Sequence, residues 1–178
     1  MLWTKTIIDE FLAGTTAYIE REYVGKGLEI DCADLALAYL IDFAVERKLP
    51  VALRYYASGA WETFHLKPRA QNASSAKKYV LRMFGARNVI DNTVAIKLGE
   101  ARPGDLVMSK WRSGGHTRVI TKIVADSTSG DAVVTFYQGN LPPVVPVKKV
   151  QSLGAIDHGL LAADEKLRRW AFSRFNRS

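Results

Sequence analysis

The sequence predicts an α+β protein in which amphipathic helices come first and an antiparallel sheet follows. Helical spacing of apolar residues dominates the first half, and from Pro103 the pattern changes to short apolar runs separated by turn residues. The composition, 48% hydrophobic and 24% charged, is that of a globular chain without repeats or linkers. We therefore expect one domain over residues 1–178, with a helical part at about 1–90, a sheet part at about 103–150 and a C-terminal helix at about 160–175.

Three helices are predicted in the first half. The first is amphipathic and extends from Thr4 to about Tyr23. The second begins after Asp31, whose side chain can cap it, and it ends before Pro50. This second helix is apolar on most sides, so we expect it to be central. The third follows Ser74 and ends at Gly85.

Strands are predicted from short β-branched and aromatic runs bounded by turn residues. Their approximate ranges are 51–66, 105–111, 117–124, 132–137 and 144–150. The basic run from Leu160 to Phe172 is expected to be an amphipathic helix whose Leu167 and Trp170 dock on the domain while its arginines face water. A nucleic-acid- or membrane-binding helix is the alternative interpretation of this run.

The bulk properties limit the cellular context. A single cysteine excludes an internal disulfide and favours a reducing compartment. No stretch has the length and apolar character of a membrane span, and the N-terminus lacks the pattern of a secretory signal. We expect a soluble protein that folds in the cytoplasm and, if exported, uses another route. The net charge of +7 predicts attraction to polyanions.

The lone cysteine lies where a nucleophile could be activated. Cys32 follows the predicted cap, at the positive end of a helix dipole that lowers the pKa of a thiol. His116 begins a strand after a Ser-Gly-Gly turn, and the next strand ends at Gln138 and Asn140, whose amides could orient the imidazole. A buried, inert Cys32 and a turn-forming role for the two amides are the alternatives.

The same residues carry a resemblance that covers roughly residues 23–140. The run Ile-Asp-Cys-Ala-Asp-Leu-Ala at 30–36 resembles the nucleophile motif of NlpC-like cell-wall peptidases and CHAP amidases. Pro-Gly-Asp-Leu-Val-Met at 103–108 and Gly-His-Thr-Arg-Val-Ile at 115–120 are similar to their Pro-Gly-Asp-Leu-Val and Gly-His-Val-Ala-Val-Val strands. CHAP enzymes carry Glu-x-Asn on the following strand, whereas this chain has Gln138-Gly-Asn140.

The resemblance implies a papain-like cysteine hydrolase. Cys32 would attack an amide carbonyl, His116 would act as base, and Gln138 or Asn140 would orient the histidine. The backbone N–H of Cys32, with Tyr23, would hold the oxyanion. The aromatic and basic segment between nucleophile and base would bind substrate, and its candidate residues are Tyr55, Trp61 and Arg69. No cofactor is required, and the cysteine and histidines lack the spacing of metal ligands.

The implied substrate is bacterial peptidoglycan or another anionic cell-wall polymer, with no stable nucleic-acid or membrane partner. A compact amidase of this kind resembles antibacterial effectors delivered by a type VI or similar machine, and such a toxin would need a cognate immunity protein. Two alternatives stay open. One is a cysteine-dependent deamidase or transferase toxin that acts on a protein, and the other is a catalytically inactive module that binds polyanions.

Overall fold

The structure is a computed structural model that describes residues 1–66, 72–125 and 130–177. It is a mixed α+β fold with antiparallel sheets, as the sequence predicts. The main cluster of buried side chains draws on residues from Trp3 to Phe175, so both ends of the chain contribute to one core. No helix in the described ranges combines the length and the apolar character needed to cross a membrane.

The helices begin and end close to the predicted residues in the first half of the chain. The carboxylate of Asp31 accepts a hydrogen bond from the backbone N–H of Asp34 at 2.7 Å, which confirms the predicted cap of the second helix. The helices are α1 Lys5–Ile19, continued by a π-helical turn at Glu20–Val24, α2 Cys32–Glu46, α3 Ala73–Met83, α4 Ala86–Asp91 and α5 Phe172–Phe175; short 3₁₀ turns lie at Leu98–Glu100 and Ala163–Glu165.

The described strands are β1 Val51–Ala57, β2 Ala60–Leu66, β3 Thr93–Ala95, β4 Leu106–Lys110, β5 Gly115–Ala125, β6 Ala132–Gln138, β7 Val147–Ser152 and β8 Leu167–Trp170. Strands β1 and β2 pair as a hairpin. Within the described ranges the other six form an antiparallel sheet in the order β3-β8-β4-β5-β6-β7.

The two faces of this sheet have different neighbours because side chains alternate along a strand. Leu106 and Val119 pair across β4 and β5 and belong to the main core, which includes most of α2. Val107 and Phe136 point to the opposite face and pack in a second, smaller core with Leu153. Helix α2 therefore covers one face, and the loop that includes residues 153–161 covers part of the other.

The predicted C-terminal helix is wrong over most of its length. Residues Leu167–Trp170 form β8, which lies between β3 and β4, and α5 occupies Phe172–Phe175 alone. Leu167 and Trp170 are buried, as the docking prediction required. Their neighbours Arg168 and Arg169 do not project freely into water, since both bind groups of the sheet. Sheet pairing supplies the backbone partners that decide this short segment in favour of a strand.

Candidate active site

Cys32 is the first residue of α2, and its side chain is buried, with 8% of the residue exposed. The backbone N–H groups of Thr117 in β5, and of Cys32 and Ala33 at the start of the helix, lie close enough to the sulfur to favour its thiolate form. The N–H of Thr117 belongs to the peptide bond that joins Thr117 to His116. The fold therefore brings the predicted nucleophile to the strand position that directly follows the predicted base.

The prediction that the helix terminus lowers the pKa of Cys32 is wrong. Burial raises the pKa of Cys32 above its ordinary value, the N–H of Thr117 opposes this increase, and the charge of Asp31 adds to it. The N–H groups at the helix start oppose the increase as well, but desolvation outweighs them. Cys32 is thus a neutral thiol at pH 7, and it needs a base at the moment of attack.

His116 is the second residue of β5 and is half-buried. Burial lowers the pKa of His116, and the positive charge of Arg118 lowers it further. The side chain of Gln138 and the charge of Asp31 act in the opposite direction and favour the protonated ring. Since its pKa lies below the ordinary value of 6.5, His116 is neutral at pH 7 and available as a proton acceptor.

Of the two predicted orienting amides, the fold brings Gln138 to the histidine. Gln138 is the last residue of β6 and interacts with the imidazole through its side chain. Asn140 lies beyond the end of β6 with its side chain exposed. Between them, Gly139 packs so closely on the chain before Cys32 that an added Cβ would lie 2.3 Å from the carbonyl oxygen of Ile30. A glycine here permits β6 to end against the start of α2.

Tyr23, the predicted second oxyanion residue, is not brought to the thiol. Its hydroxyl interacts with the side chains of Tyr18 and Lys77, which also bind Asp42. Asp42 is ten residues after Cys32 on α2, a distance of about 15 Å along a helix axis. The structure therefore assigns Tyr23 to a polar cluster between helices.

The three predicted substrate-binding residues have different positions. Tyr55 is buried, and its hydroxyl bonds Glu62 and Tyr79, so it belongs to the packing of the β1–β2 hairpin. Trp61 is 51% exposed. Arg69 lies outside the described residues. The cleft that contains Trp61 has a volume of about 400 Å³, and its lining consists of Tyr56, Trp61, Arg87, Asn88, Asp91 and Lys110.

This cleft borders the strand that carries the histidine. Lys110 pairs with Gly115, the residue before His116. Helix α4 supplies Arg87, and its first residue, Ala86, lies so close to Gly115 that an added Cβ would be 3.2 Å from the methyl carbon of Ala86. The guanidinium of Arg54 lies 4.9 Å from the ring centroid of Trp61 and adds a further positive charge. The cleft is thus an aromatic and mainly basic surface close to the candidate site.

Sequence reasoning missed two charged residues beside the candidate pair. Arg118 is half-buried, two residues after His116, and acts electrostatically on both His116 and Cys32. Asp34 is in the first turn of α2, and burial together with Asp31 raises its pKa to about 7. Within the described residues, Oδ1 of Asp34 is buried without a hydrogen-bond partner. Because side chains alternate along a strand, the sequence could have predicted that Arg118 shares a face with His116. Nothing in the sequence indicates that Asp34 is partly buried.

Comparisons of the chain with protein-family models, with curated proteins and with solved structures found no match.

Proposed function

We propose that this protein is a papain-like cysteine amidase or peptidase in which Cys32 is the nucleophile and His116 the base. The observation that carries the proposal is that the start of α2 lies against β5, the strand of His116. The thiol at the start of α2 faces the backbone N–H that directly follows His116, and Gln138 supports the imidazole from the next strand. The proposal takes its nucleophile from α2, its base from β5 and its orienting residue from β6, the three groups that thiol catalysis requires.

The reaction would start from a neutral thiol and a neutral imidazole. His116 accepts the proton as the sulfur attacks the amide carbonyl carbon, and negative charge develops on the carbonyl oxygen. The N–H groups at the start of α2 are donors for this oxygen. The C–N bond then breaks, His116 gives its proton to the leaving amine, and a thioester forms. Water, deprotonated by His116, cleaves the thioester, and the proton returns to the thiol as the acid product leaves.

Gln138 is the better candidate for the orienting residue. Its side chain favours the protonated form of His116, which is the form produced when the base accepts the thiol proton. An amide oxygen that accepts the ring N–H would fix the tautomer and stabilise the imidazolium without carrying a charge. Asn140 has its side chain in solvent and fits a turn-forming role.

Bacterial peptidoglycan is the substrate we propose. Three motifs in the expected order, around Cys32, at 103–108 and around His116, are similar to those of NlpC-like peptidases and CHAP amidases. The net charge of +7 suits a wall that carries carboxylates and phosphates. As a further step by analogy, we propose an antibacterial effector that acts in a periplasm or on a cell wall and is neutralised by an immunity protein.

A second candidate is a non-catalytic module that binds polyanions. Two observations favour it: burial raises the pKa of the only thiol, and the cleft at Trp61 is aromatic and mainly basic. The two candidates differ in what Cys32 must do. Hydrolysis requires the sulfur, whereas binding through the cleft does not.

Digestion of purified peptidoglycan tests the proposal. Wild-type protein, Cys32→Ala and His116→Ala would each be incubated with the polymer, and the released fragments would be identified by mass. His65→Ala is the matched control because His65 is exposed on the β1–β2 hairpin. We expect the wild type and His65→Ala to release fragments and the two site variants to release none. Intact polymer in every sample would refute the proposed substrate, and cleavage by Cys32→Ala would refute the nucleophile.

A further inference from the structure

Arg118 is a charged side chain that the proposed mechanism does not use. It is half-buried on β5, and its Nη1 donates to the hydroxyl of Ser109 at 3.0 Å. Its guanidinium carbon lies 5.7 Å from the centroid of the Phe136 ring. Among the residues that the structure describes, Arg118 makes no other side-chain hydrogen bond and no ion pair. A guanidinium has five N–H donors, so most of its capacity is unused.

The other two half-buried arginines of the sheet each form at least three hydrogen bonds. Arg169 forms two bonds to the carboxylate of Asp105, at 2.7 and 2.6 Å, and a third to the carbonyl of Glu100. Arg168 binds the hydroxyl of Thr93 and three backbone carbonyls. A charge that leaves water without compensation destabilises the protein. Arg118 is therefore the half-buried arginine of this sheet with the most donors left for an additional anion.

The position of Arg118 is next to the candidate catalytic pair. His116 and Arg118 are two residues apart on β5 and so project from the same face of the sheet. Lys149 pairs with Phe136 on the neighbouring strands and acts electrostatically on His116, which places a second cation on this face. Asp157 is the nearby carboxylate, but it accepts hydrogen bonds from Trp111 and from the N–H of Gly159.

We propose that Arg118, with Lys149 as a second and weaker cation, binds a carboxylate of the substrate beside the amide bond that Cys32 attacks. The preferred substrate class is then an acidic peptide or amide whose free carboxylate is close to the cleaved bond. A guanidinium can bind a carboxylate through two parallel hydrogen bonds, which fixes orientation as well as position. The inference rests on the proposed function.

Binding to the inactive protein tests the inference without catalysis. The probes are the peptide L-Ala-γ-D-Glu-L-Lys and the same peptide with the α-carboxylate of glutamate converted to the amide. Their affinities for Cys32→Ala would be measured by calorimetry. We expect amidation to weaken binding by about tenfold or more, because a charge-assisted hydrogen bond is lost.

Double variants assign the effect to the arginine. In Cys32→Ala with Arg118→Gln the preference is expected to fall to about twofold or less, the share that Lys149 supplies. The matched control is Cys32→Ala with Arg112→Gln, which removes an exposed arginine of the β4–β5 turn and should retain the tenfold preference. If Arg118→Gln does not fold, Arg118→Lys keeps the charge and is expected to retain only part of the preference, since it lacks the planar fork.

The outcomes separate this inference from the proposed reaction. Equal binding of the two peptides by Cys32→Ala, or binding of neither, overturns the carboxylate site even if the wild type digests peptidoglycan through Cys32. A preference that Arg118→Gln removes supports the site, and it does so even if no preparation cleaves the polymer, in which case the hydrolase proposal fails alone. A preference that survives undiminished in Arg118→Gln overturns the assignment to Arg118.

Discussion

Two arginines on the same sheet differ in what surrounds their charge. Arg169 on β8 binds the fully buried carboxylate of Asp105 through two hydrogen bonds and connects β8 to the start of β4. Arg118 on β5 donates to a hydroxyl and lies over an aromatic ring, and the nearby carboxylate of Asp157 acts on it through its charge without an ion-pair contact. A buried charge whose partner belongs to the protein holds elements in register, whereas one without such a partner can serve a ligand. The comparison divides the sheet into a structural junction at β8–β4 and a candidate reaction site at β5–β6.

The largest effect is expected at the reaction site. His116→Ala should lower the rate of amide hydrolysis by about 10²–10⁴-fold because the thiol loses its proton acceptor. The free energy of unfolding should change by less than about 1 kcal/mol, since the ring is half-buried and its interaction with Gln138 joins two strands that backbone pairing already holds together. Activity assays and urea denaturation of the same preparations measure the two quantities. If His116→Ala is inactive because it is unfolded, the role of His116 is structural and its assignment as the base is not supported.

The next effect is expected at the structural junction. Asp105→Ala should lower the free energy of unfolding by about 3–5 kcal/mol because it leaves the half-buried charge of Arg169 without a partner. Burial raises the pKa of Asp105 although Arg169 acts in the opposite direction, so the pair adds little net stability while its disruption is costly. Urea denaturation measures the loss. Glu10→Ala, at an exposed carboxylate that also pairs with an arginine, is the control and should leave the midpoint nearly unchanged.

A smaller effect concerns the pH dependence of the reaction. The pKa of His116 is lowered by burial and by Arg118, so activity should rise with pH through a range below 6.5. Removal of the positive charge in Arg118→Gln makes protonation of the ring easier, which raises its pKa and moves this rise to higher pH. Profiles of kcat/KM against pH measure the shift. Asp34→Asn removes a carboxyl group whose pKa is about 7, and the rise in activity with pH should remain in this variant. If the rise disappears in Asp34→Asn, the titrating group is Asp34 and not His116.

The smallest effect is expected for Tyr23. Its substitution tests whether the polar cluster between the helices stabilises the fold without taking part in catalysis. Tyr23→Phe should change the hydrolysis rate by less than about twofold and lower the free energy of unfolding by about 0.5–1.5 kcal/mol through loss of its hydroxyl interactions with Tyr18 and Lys77. Initial-rate assays and urea denaturation provide both values. A fall of tenfold or more in kcat with unchanged stability would support the oxyanion role that the sequence predicts for Tyr23.

Local sequence signals were enough to predict the features on which the site is built. Asp31 before an apolar helical run predicts the start of α2, and alternation with turn residues predicts β4 to β7, because capping and periodicity act over a few neighbouring residues. The same signals bring Cys32, His116 and Gln138 to the ends of their elements. These are properties of short segments, so they can be predicted without the rest of the fold.

Other features depend on distant parts of the chain and could not be predicted from local signals. The segment from Leu167 to Trp170 is a strand because β3 and β4 offer it backbone partners, although its basic and aromatic composition also suits a helix. The thiol pKa is raised because packing buries Cys32, an effect larger than that of the helix terminus. Pairing, burial and charge proximity join residues far apart in sequence, and for that reason the surroundings of Tyr23 and Arg118 required the folded molecule.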